Sequence, residues 1–161
     1  MDNDRLLKKI NLFADKMLEC NEFFACAESC TGGWLSKVCT DKAGSSAWFD
    51  CGFVTYSNTA KNQMLGVKND LINQHGAVSE AVAEAMVRGV IEHSEAKIAV
   101  AITGIAGPSG GSEEKPVGTV CFAFSILSRP IQTKVECFPG DREAVRFQAV
   151  DYVVSFLLDE I

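Results

Sequence analysis

The fold is set by the stretch FFACAESCTGGWLSKV, residues 23–38. Residues 23–27 are a short apolar run that includes aromatic side chains, which predicts a buried strand. Residues 34–38 resume a helical pattern, and the polar, glycine-rich residues 28–33 separate the two elements. A strand that passes through a tight turn into a helix is typical of α/β proteins, so we expect helices packed on a sheet.

Outward from this stretch, helices and strands continue to alternate. The spacing of Leu6, Ile10 and Phe13 predicts a first amphipathic helix over about residues 4–20. The later patterns predict strands at 48–56 and 97–103, and an antiparallel pair of strands at 117–126 and 131–138. They also predict three helices: a short one that carries Lys61 and is capped by Ser57 or Asn58, one from its cap Ser79 to about residue 94, and a last one capped by Asp141. Because the strand pair comes late, we predict a three-layer α/β/α sandwich with a mixed β-sheet, formed by a single domain over residues 1–161.

The composition limits the classes of protein to consider. Hydrophobic residues make up 47% of the chain and charged residues 22%, which are the proportions of a globular protein. No apolar run is long enough to cross a bilayer, and the charged N-terminus lacks the order of a signal peptide, so we expect a cytoplasmic protein with no membrane partner. The net charge of −6 would repel a polyanion, so nucleic acid is not an expected partner. We expect a homo-oligomer that acts on a small molecule.

The cysteines and histidines argue against a metal site. The seven cysteines are odd in number and form no CxxC pair, and the chain has two histidines. We therefore expect neither a disulfide framework nor a zinc site, and no cofactor. His75 and His93 lie away from the predicted strand ends, which favours surface positions for both.

Three predicted strands end in polar or glycine-rich segments, at residues 28–33, 56–61 and 103–118. In open α/β sheets, ligands bind beyond the carboxyl ends of the strands, where helix N-termini present free N–H groups. Ser29, in the first segment, is either a nucleophile or the cap of the following helix. It does not lie in a GxSxG motif, so the pattern does not indicate a Ser-His-Asp triad.

A serine nucleophile needs a base, and Lys61 is the candidate. A lysine amine that is partly desolvated in a pocket can lose its proton near neutral pH. The alternative is a solvated lysine on the surface of a helix. Tyr56, upstream of Lys61, is a candidate to relay a proton or to orient the lysine.

The segment 104–118 is unusual, because five glycines and two prolines occur among its fifteen residues. Closely spaced glycines allow backbone N–H groups to surround a phosphate or carboxylate. The segment lacks the GxxxxGK[ST] pattern, which excludes a nucleoside-triphosphatase loop. The alternative interpretation is a long surface loop.

Taken together, these segments resemble the CinA C-terminal domain family. The resemblance covers nearly the whole chain, at AESCTGG (27–33), GSS (44–46), VTYSN (54–58), Lys61, GAVS (76–79), the loop 103–118 and FPGDR (138–142). Stand-alone bacterial members of this length are nicotinamide-nucleotide amidohydrolases. The resemblance therefore implies hydrolysis of the carboxamide of nicotinamide mononucleotide (NMN) to nicotinate mononucleotide and ammonia, in pyridine-nucleotide (NAD) salvage. The alternative is an inactive nucleotide-binding or regulatory protein, because some family members lack activity.

The resemblance also implies a set of site residues. Ser29 would attack the carboxamide carbon and Lys61 would take the hydroxyl proton, with Tyr56 assisting, as in other serine–lysine hydrolases. Further residues match the family's site at Ser46 (for water), Thr103 (for substrate orientation) and Arg142 (for phosphate). Because glycines let the backbone approach a ligand closely, we also expect the substrate to contact the turn and the long loop, at Thr31, Gly32, Gly33, Gly104, Gly107, Gly110, Gly111 and Lys115. Cys30 is a stronger intrinsic nucleophile than serine, but one step along the turn it should face elsewhere.

Overall fold

The computed structural model describes residues 1–161 and shows strands alternating with helices. The six helices are α1 (Asn3–Cys20), α2 (Trp34–Thr40), α3 (Asn58–Leu65), α4 (Asn69–His75), α5 (Glu80–Glu92) and α6 (Arg142–Glu160). The five strands are β1 (Phe24–Glu28), β2 (Phe49–Val54), β3 (Ile98–Gly104), β4 (Thr119–Ile126) and β5 (Gln132–Cys137). No helix combines the length and the apolar character needed to cross a bilayer.

The strands form one mixed sheet in the order β2-β1-β3-β4-β5. β1 pairs in parallel with both β2 and β3, whereas β4 runs antiparallel to β3 and β5. Glu28, the last residue of β1, lies level with Val54 of β2 and Ile102 of β3. The carboxyl ends of the three parallel strands therefore meet at one edge, where the sequence places its polar and glycine-rich segments.

Helices cover both faces of the sheet, which confirms the predicted three-layer sandwich. One face packs against α1, α2 and α6 around 26 buried residues. The other packs against α3, α4 and α5 around 15 buried residues. Successive residues of β1 face opposite layers, with Phe24 and Cys26 on the first side and Ala25 and Ala27 on the second.

The two layers are filled by side chains of different size. Phe13 meets the rings of Phe24 and Trp48 edge to face, at centroid distances of 5.1 and 5.6 Å. Full burial of such a ring stabilises the fold by about 2 kcal/mol. On the other face, a Cβ at Gly89 of α5 would collide with the carbonyl group of Leu65 in α3. This close approach of α5 and α3 holds Lys61, which lies on α3, against the sheet.

Two short elements were not predicted. Helix α4 has one buried residue, Ile72, and no side-chain cap, so its polar sequence carries no helical periodicity. A 3₁₀ turn occupies Ser45–Ala47, a stretch of small residues for which no helix or strand was predicted. The second strand ends at Val54, before the predicted limit of residue 56, because Ser57 caps α3 by accepting from the N–H of Ala60.

Candidate active site

The three parallel strand ends and their loops surround a cavity of about 190 Å³. Its lining includes Ser29 after β1, Lys61 on α3, and Thr103 and Gly104 at the end of β3. Arg142, at the start of α6, closes one side. The structure therefore brings together residues from four distant parts of the chain: the three segments predicted at the strand ends, and the start of α6.

Ser29 and Lys61 are in direct contact inside this cavity. The Nζ atom of Lys61 lies 3.0 Å from Oγ of Ser29 and 3.1 Å from the carbonyl oxygen of Thr55. Only 1% of Lys61 and 8% of Ser29 is exposed. The interpretation of Lys61 as a solvated surface lysine is therefore wrong.

The environment of Lys61 disfavours its charged form. Burial lowers the pKa of the Lys61 amine below its ordinary value. None of the five ion pairs in the structure includes Lys61, so no carboxylate opposes this shift. A neutral amine next to a serine hydroxyl can accept its proton, which is the arrangement that activates a serine nucleophile.

Ser29 does not cap the helix that follows it, which was the alternative interpretation. Glu28 has this role: its Oε2 accepts from the N–H groups of Gly33 and Leu35 at 3.1 and 3.0 Å, and its Oε1 from that of Ser36 at 2.8 Å. Glu28 is fully buried, and its carboxylate lies at the N-terminus of α2, where negative charge is favoured. Sequence reasoning missed this residue; its signal was a carboxylate at the end of an apolar strand and directly before a helix start.

Cys30, next to the nucleophile candidate, is a poor competitor for its role. Burial raises the pKa of the Cys30 thiol to about 12, so the thiol keeps its proton near neutral pH. Its sulfur packs close to Gly104, where an added Cβ would come 3.0 Å from the sulfur atom. Because the thiolate is the reactive form of cysteine, the protonated Cys30 thiol is a weak nucleophile.

Tyr56 and Arg142 meet at the mouth of the cavity. Arg142 donates through Nη2 to the hydroxyl of Tyr56 and through Nη1 to the carbonyl oxygen of Gly107, both at 2.9 Å. Tyr56 is 59% exposed, and its hydroxyl makes no hydrogen bond to Ser29 or Lys61. The expected contact of Tyr56 with the lysine is therefore not formed, because the phenol points to the arginine at the rim.

Thr103 is part of the cavity lining, whereas the predicted residues Gly107, Gly110, Gly111 and Lys115 of the long loop are not. Thr103 donates to the carbonyl oxygen of Ala77 at 2.8 Å. Lys115 donates to the carbonyl oxygen of His75 at 3.0 Å, which ties the long loop to the end of α4. The carbonyl oxygen of Gly107 accepts a hydrogen bond from Arg142, while Gly110 and Gly111 lie in the exposed part of the same loop.

Several predicted residues do not reach the cavity lining. The N–H of Gly32 donates to Ser29 O and that of Gly33 to Glu28, so neither is available to an anion. Both glycines line a separate hollow of about 610 Å³ beside α1 and α2. Thr31 is fully buried and its hydroxyl has no hydrogen-bond partner, and Ser46 is exposed in the 3₁₀ turn.

The metal-binding residue types are scattered. No three or more histidine, cysteine, aspartate or glutamate side chains are grouped to hold a metal ion. His75 and His93 are exposed, as predicted. All seven cysteines are free, and four of them are buried.

Comparisons with known proteins agree on one family. The sequence model described as CinA C-terminal domain matches residues 7–161. The nicotinamide-nucleotide amidohydrolase PncC of Escherichia coli (strain K12) is 60% identical over 131 residues, which make up 81% of this chain and 79% of that protein. The protein of the same name from Pseudomonas putida is 53% identical over 132 residues, 82% of each chain. The crystal structure of a competence-damaged protein (CinA) superfamily protein from Escherichia coli has a TM-score of 0.94 at 34% identity, covering 100% of this chain and 93% of that one.

Proposed function

The chain belongs to the CinA C-terminal domain family, and we infer that it is a nicotinamide-nucleotide amidohydrolase. It hydrolyses the carboxamide of NMN to give nicotinate mononucleotide and ammonia, and so acts on a linear amide C–N bond in pyridine-nucleotide salvage. The relatives of that name share 60% and 53% of their aligned residues with this chain across most of its length.

One observation carries the proposed mechanism: the 3.0 Å contact between Lys61 Nζ and Ser29 Oγ inside the cavity. Ser29 attacks the amide carbon while Lys61 takes its proton, and the same proton leaves with the ammonia. Water then cleaves the ester that joins the substrate to Ser29, with Lys61 again acting as base. A protein that only binds a nucleotide has no need for a buried lysine against a serine hydroxyl.

Arg142 supports the assignment of a phosphorylated substrate. Its guanidinium lies at the cavity mouth and takes part in none of the five ion pairs. Guanidinium groups bind phosphate through paired, charge-assisted hydrogen bonds. We assign Arg142 to the phosphate of NMN, with Tyr56 as its orienting partner and the loop that carries Gly107, Gly110 and Gly111 beside it.

The remaining features of the proposal concern the setting of the enzyme. Residues 1–161 act as one catalytic domain in the cytoplasm, and the active form is a homo-oligomer. The reaction needs no metal or cofactor. The net charge of −6 supports a small-molecule substrate over nucleic acid as the partner.

The proposal is tested by ammonia release from NMN with purified protein. Nicotinamide riboside, which lacks the phosphate, and free nicotinamide serve as comparison substrates. We expect stoichiometric nicotinate mononucleotide and ammonia from NMN, and turnover of the other two lower by at least about 10²-fold in kcat/KM, because the phosphate contact is lost. Saturable NMN binding without any ammonia release would instead identify an inactive nucleotide-binding protein.

A further inference from the structure

In the turn that carries Ser29, the backbone carbonyl groups are hydrogen-bonded, whereas two of the N–H groups donate to no other residue. The Ser29 carbonyl accepts from the N–H of Gly32 at 3.0 Å, which closes a turn with Cys30 and Thr31 at its centre. The carbonyl groups of these two central residues accept from Nε and Nη2 of Arg146, each at 3.0 Å. Neither N–H donates a hydrogen bond to another residue of the chain. Backbone N–H groups inside proteins are nearly always paired, so an N–H beside a nucleophile that bonds to no other residue is open to a ligand.

The two free N–H groups differ in their access to the cavity. Thr31 is fully buried, whereas Cys30 lines the cavity together with Ser29. The Cys30 N–H belongs to the peptide unit that also holds the Ser29 carbonyl. A planar trans peptide directs its N–H opposite to its carbonyl. Because Gly32 holds that carbonyl, the direction of the Cys30 N–H is set before any substrate binds.

We propose that the Cys30 N–H stabilises the negative oxygen that forms when Ser29 attacks the amide, and that Arg146 is the positioning residue of this turn. The proposal rests on the proposed function of the site. In unrelated hydrolases, the N–H of the residue after the nucleophile has this task, and loss of one such donor lowers kcat by about 10²- to 10³-fold.

The step balances in atoms and electrons. The bond between Ser29 Oγ and the carboxamide carbon forms, the π pair of the carbonyl moves to its oxygen, and the hydroxyl proton moves to Lys61. The Cys30 N–H donates to this oxygen. When the pair returns, the carbon–nitrogen bond breaks and the leaving nitrogen takes the proton from Lys61 as ammonia. The substrate remains as an ester on Ser29.

Arg146 is suited to hold the turn because it reaches two successive carbonyl groups with one rigid group. Its guanidinium also lies over the ring of Trp34 at 5.3 Å, and it joins no ion pair. A lysine offers a point charge on a flexible stem and cannot reproduce this planar fork. Because the Arg146 guanidinium binds two carbonyl groups of the turn and no carboxylate, its contacts fix the conformation of the turn.

The N–H itself can be tested by a backbone ester. In a Cys30→Ala chain, lactic acid at position 30 replaces the N–H by an ester oxygen and leaves every side chain unchanged. The ester carbonyl of Ser29 is a weaker acceptor for the Gly32 N–H, so the thermal unfolding midpoint should fall slightly while the protein stays folded at the assay temperature. We expect kcat for NMN to fall by about 10²-fold or more while KM changes little. An ester protein with the kcat of its amide counterpart would overturn the proposal.

Arg146 is tested by Arg146→Lys and Arg146→Ala, with Arg88→Ala as the control on an exposed helix position paired with Glu84. A displaced turn should lower kcat by about 10²-fold in Arg146→Ala. The inhibition constant of nicotinate mononucleotide should stay the same. Arg146→Lys should have a kcat as low as that of Arg146→Ala. Added guanidinium ion should raise the kcat of Arg146→Ala but not that of the parent or of Arg88→Ala. A rise in KM and in the inhibition constant with kcat retained would identify a phosphate contact and overturn the positioning role.

These outcomes are separable from failure of the proposed function. If the parent protein releases no ammonia from NMN, the proposed function and this inference both fall. If the parent is active and the ester at position 30 is equally active, the amidohydrolase assignment stands and the oxyanion donor is wrong.

Discussion

The Lys61 Nζ atom and the Ser29 Oγ atom lie 3.0 Å apart in a buried contact that no carboxylate shares. The second acceptor of the amine is a neutral group, the carbonyl oxygen of Thr55. Burial can therefore lower the pKa of Lys61 with no carboxylate partner to oppose it. In its neutral form the amine can accept the hydroxyl proton of Ser29, which the proposed mechanism requires.

The first prediction concerns the proton that Lys61 accepts. The lowered pKa means that the rate should rise with pH through one ionisation, as the amine becomes neutral. Lys61→Arg keeps a positive charge that cannot be lost in this range, so kcat should fall by about 10³-fold, nearly as far as in Lys61→Ala. The check is kcat for NMN against pH in the three proteins. An active Lys61→Arg enzyme with the parent's pH profile would reduce Lys61 to an electrostatic anchor.

The second prediction separates the roles of Arg142 and Tyr56. Arg142→Gln should raise KM for NMN by about tenfold or more with a smaller change in kcat, because a charged phosphate contact is lost. Tyr56→Phe removes the hydroxyl that Arg142 contacts at 2.9 Å and should change KM in the same direction. Steady-state measurement of kcat and KM for NMN in both variants checks these two roles. A fall in kcat of Tyr56→Phe at constant KM would place the phenol in the proton path instead.

Much of the fold could be predicted because its signals are local. The apolar runs of β1 and β3 and the caps at Ser57, Ser79 and Asp141 each depend on a few neighbouring residues. Helix α4 has no such signal, since its burial rests on Ile72 alone. Local periodicity therefore predicted the layers but missed an element with one buried side chain.

The site was less predictable, because its contacts join distant segments. Ser29 and Lys61 are 32 positions apart, and their meeting depends on β1 and β2 being parallel neighbours. Arg146 reaches the carbonyl of Cys30 across 116 positions and left no local signal. Gly32 was expected at the substrate because of its residue type. Its φ of +60° shows that the turn itself needs a glycine there.

The third prediction is that the reaction proceeds without a metal ion. In the proposed mechanism Lys61 transfers the proton and backbone and guanidinium groups stabilise charge, so no step requires a Lewis acid. Exhaustive dialysis against a chelator should leave kcat and KM for NMN unchanged. Inactivation that is reversed by a divalent ion would contradict this prediction.

The fourth prediction concerns stability. Because the pKa of Lys61 is lower in the folded chain than in the unfolded one, the unfolded chain binds more protons, and the contribution of Lys61 to stability rises with pH. Lys61→Met keeps the buried volume without this charge. It should therefore be inactive yet more stable than the parent below the folded pKa, and this advantage should shrink as pH rises. Urea unfolding at several pH values measures it; an advantage that grows with pH would contradict the lowered pKa.

The central claim is that Ser29 is the nucleophile, and the most direct measurement is kcat for ammonia release from NMN by Ser29→Ala. Loss of the covalent path should lower kcat by about 10³-fold or more, while the unfolding midpoint stays near that of the parent. Cys30→Ala is the matched comparison one residue away. If Ser29→Ala keeps near-normal turnover and Cys30→Ala loses it, the nucleophile is the thiol and the account is wrong.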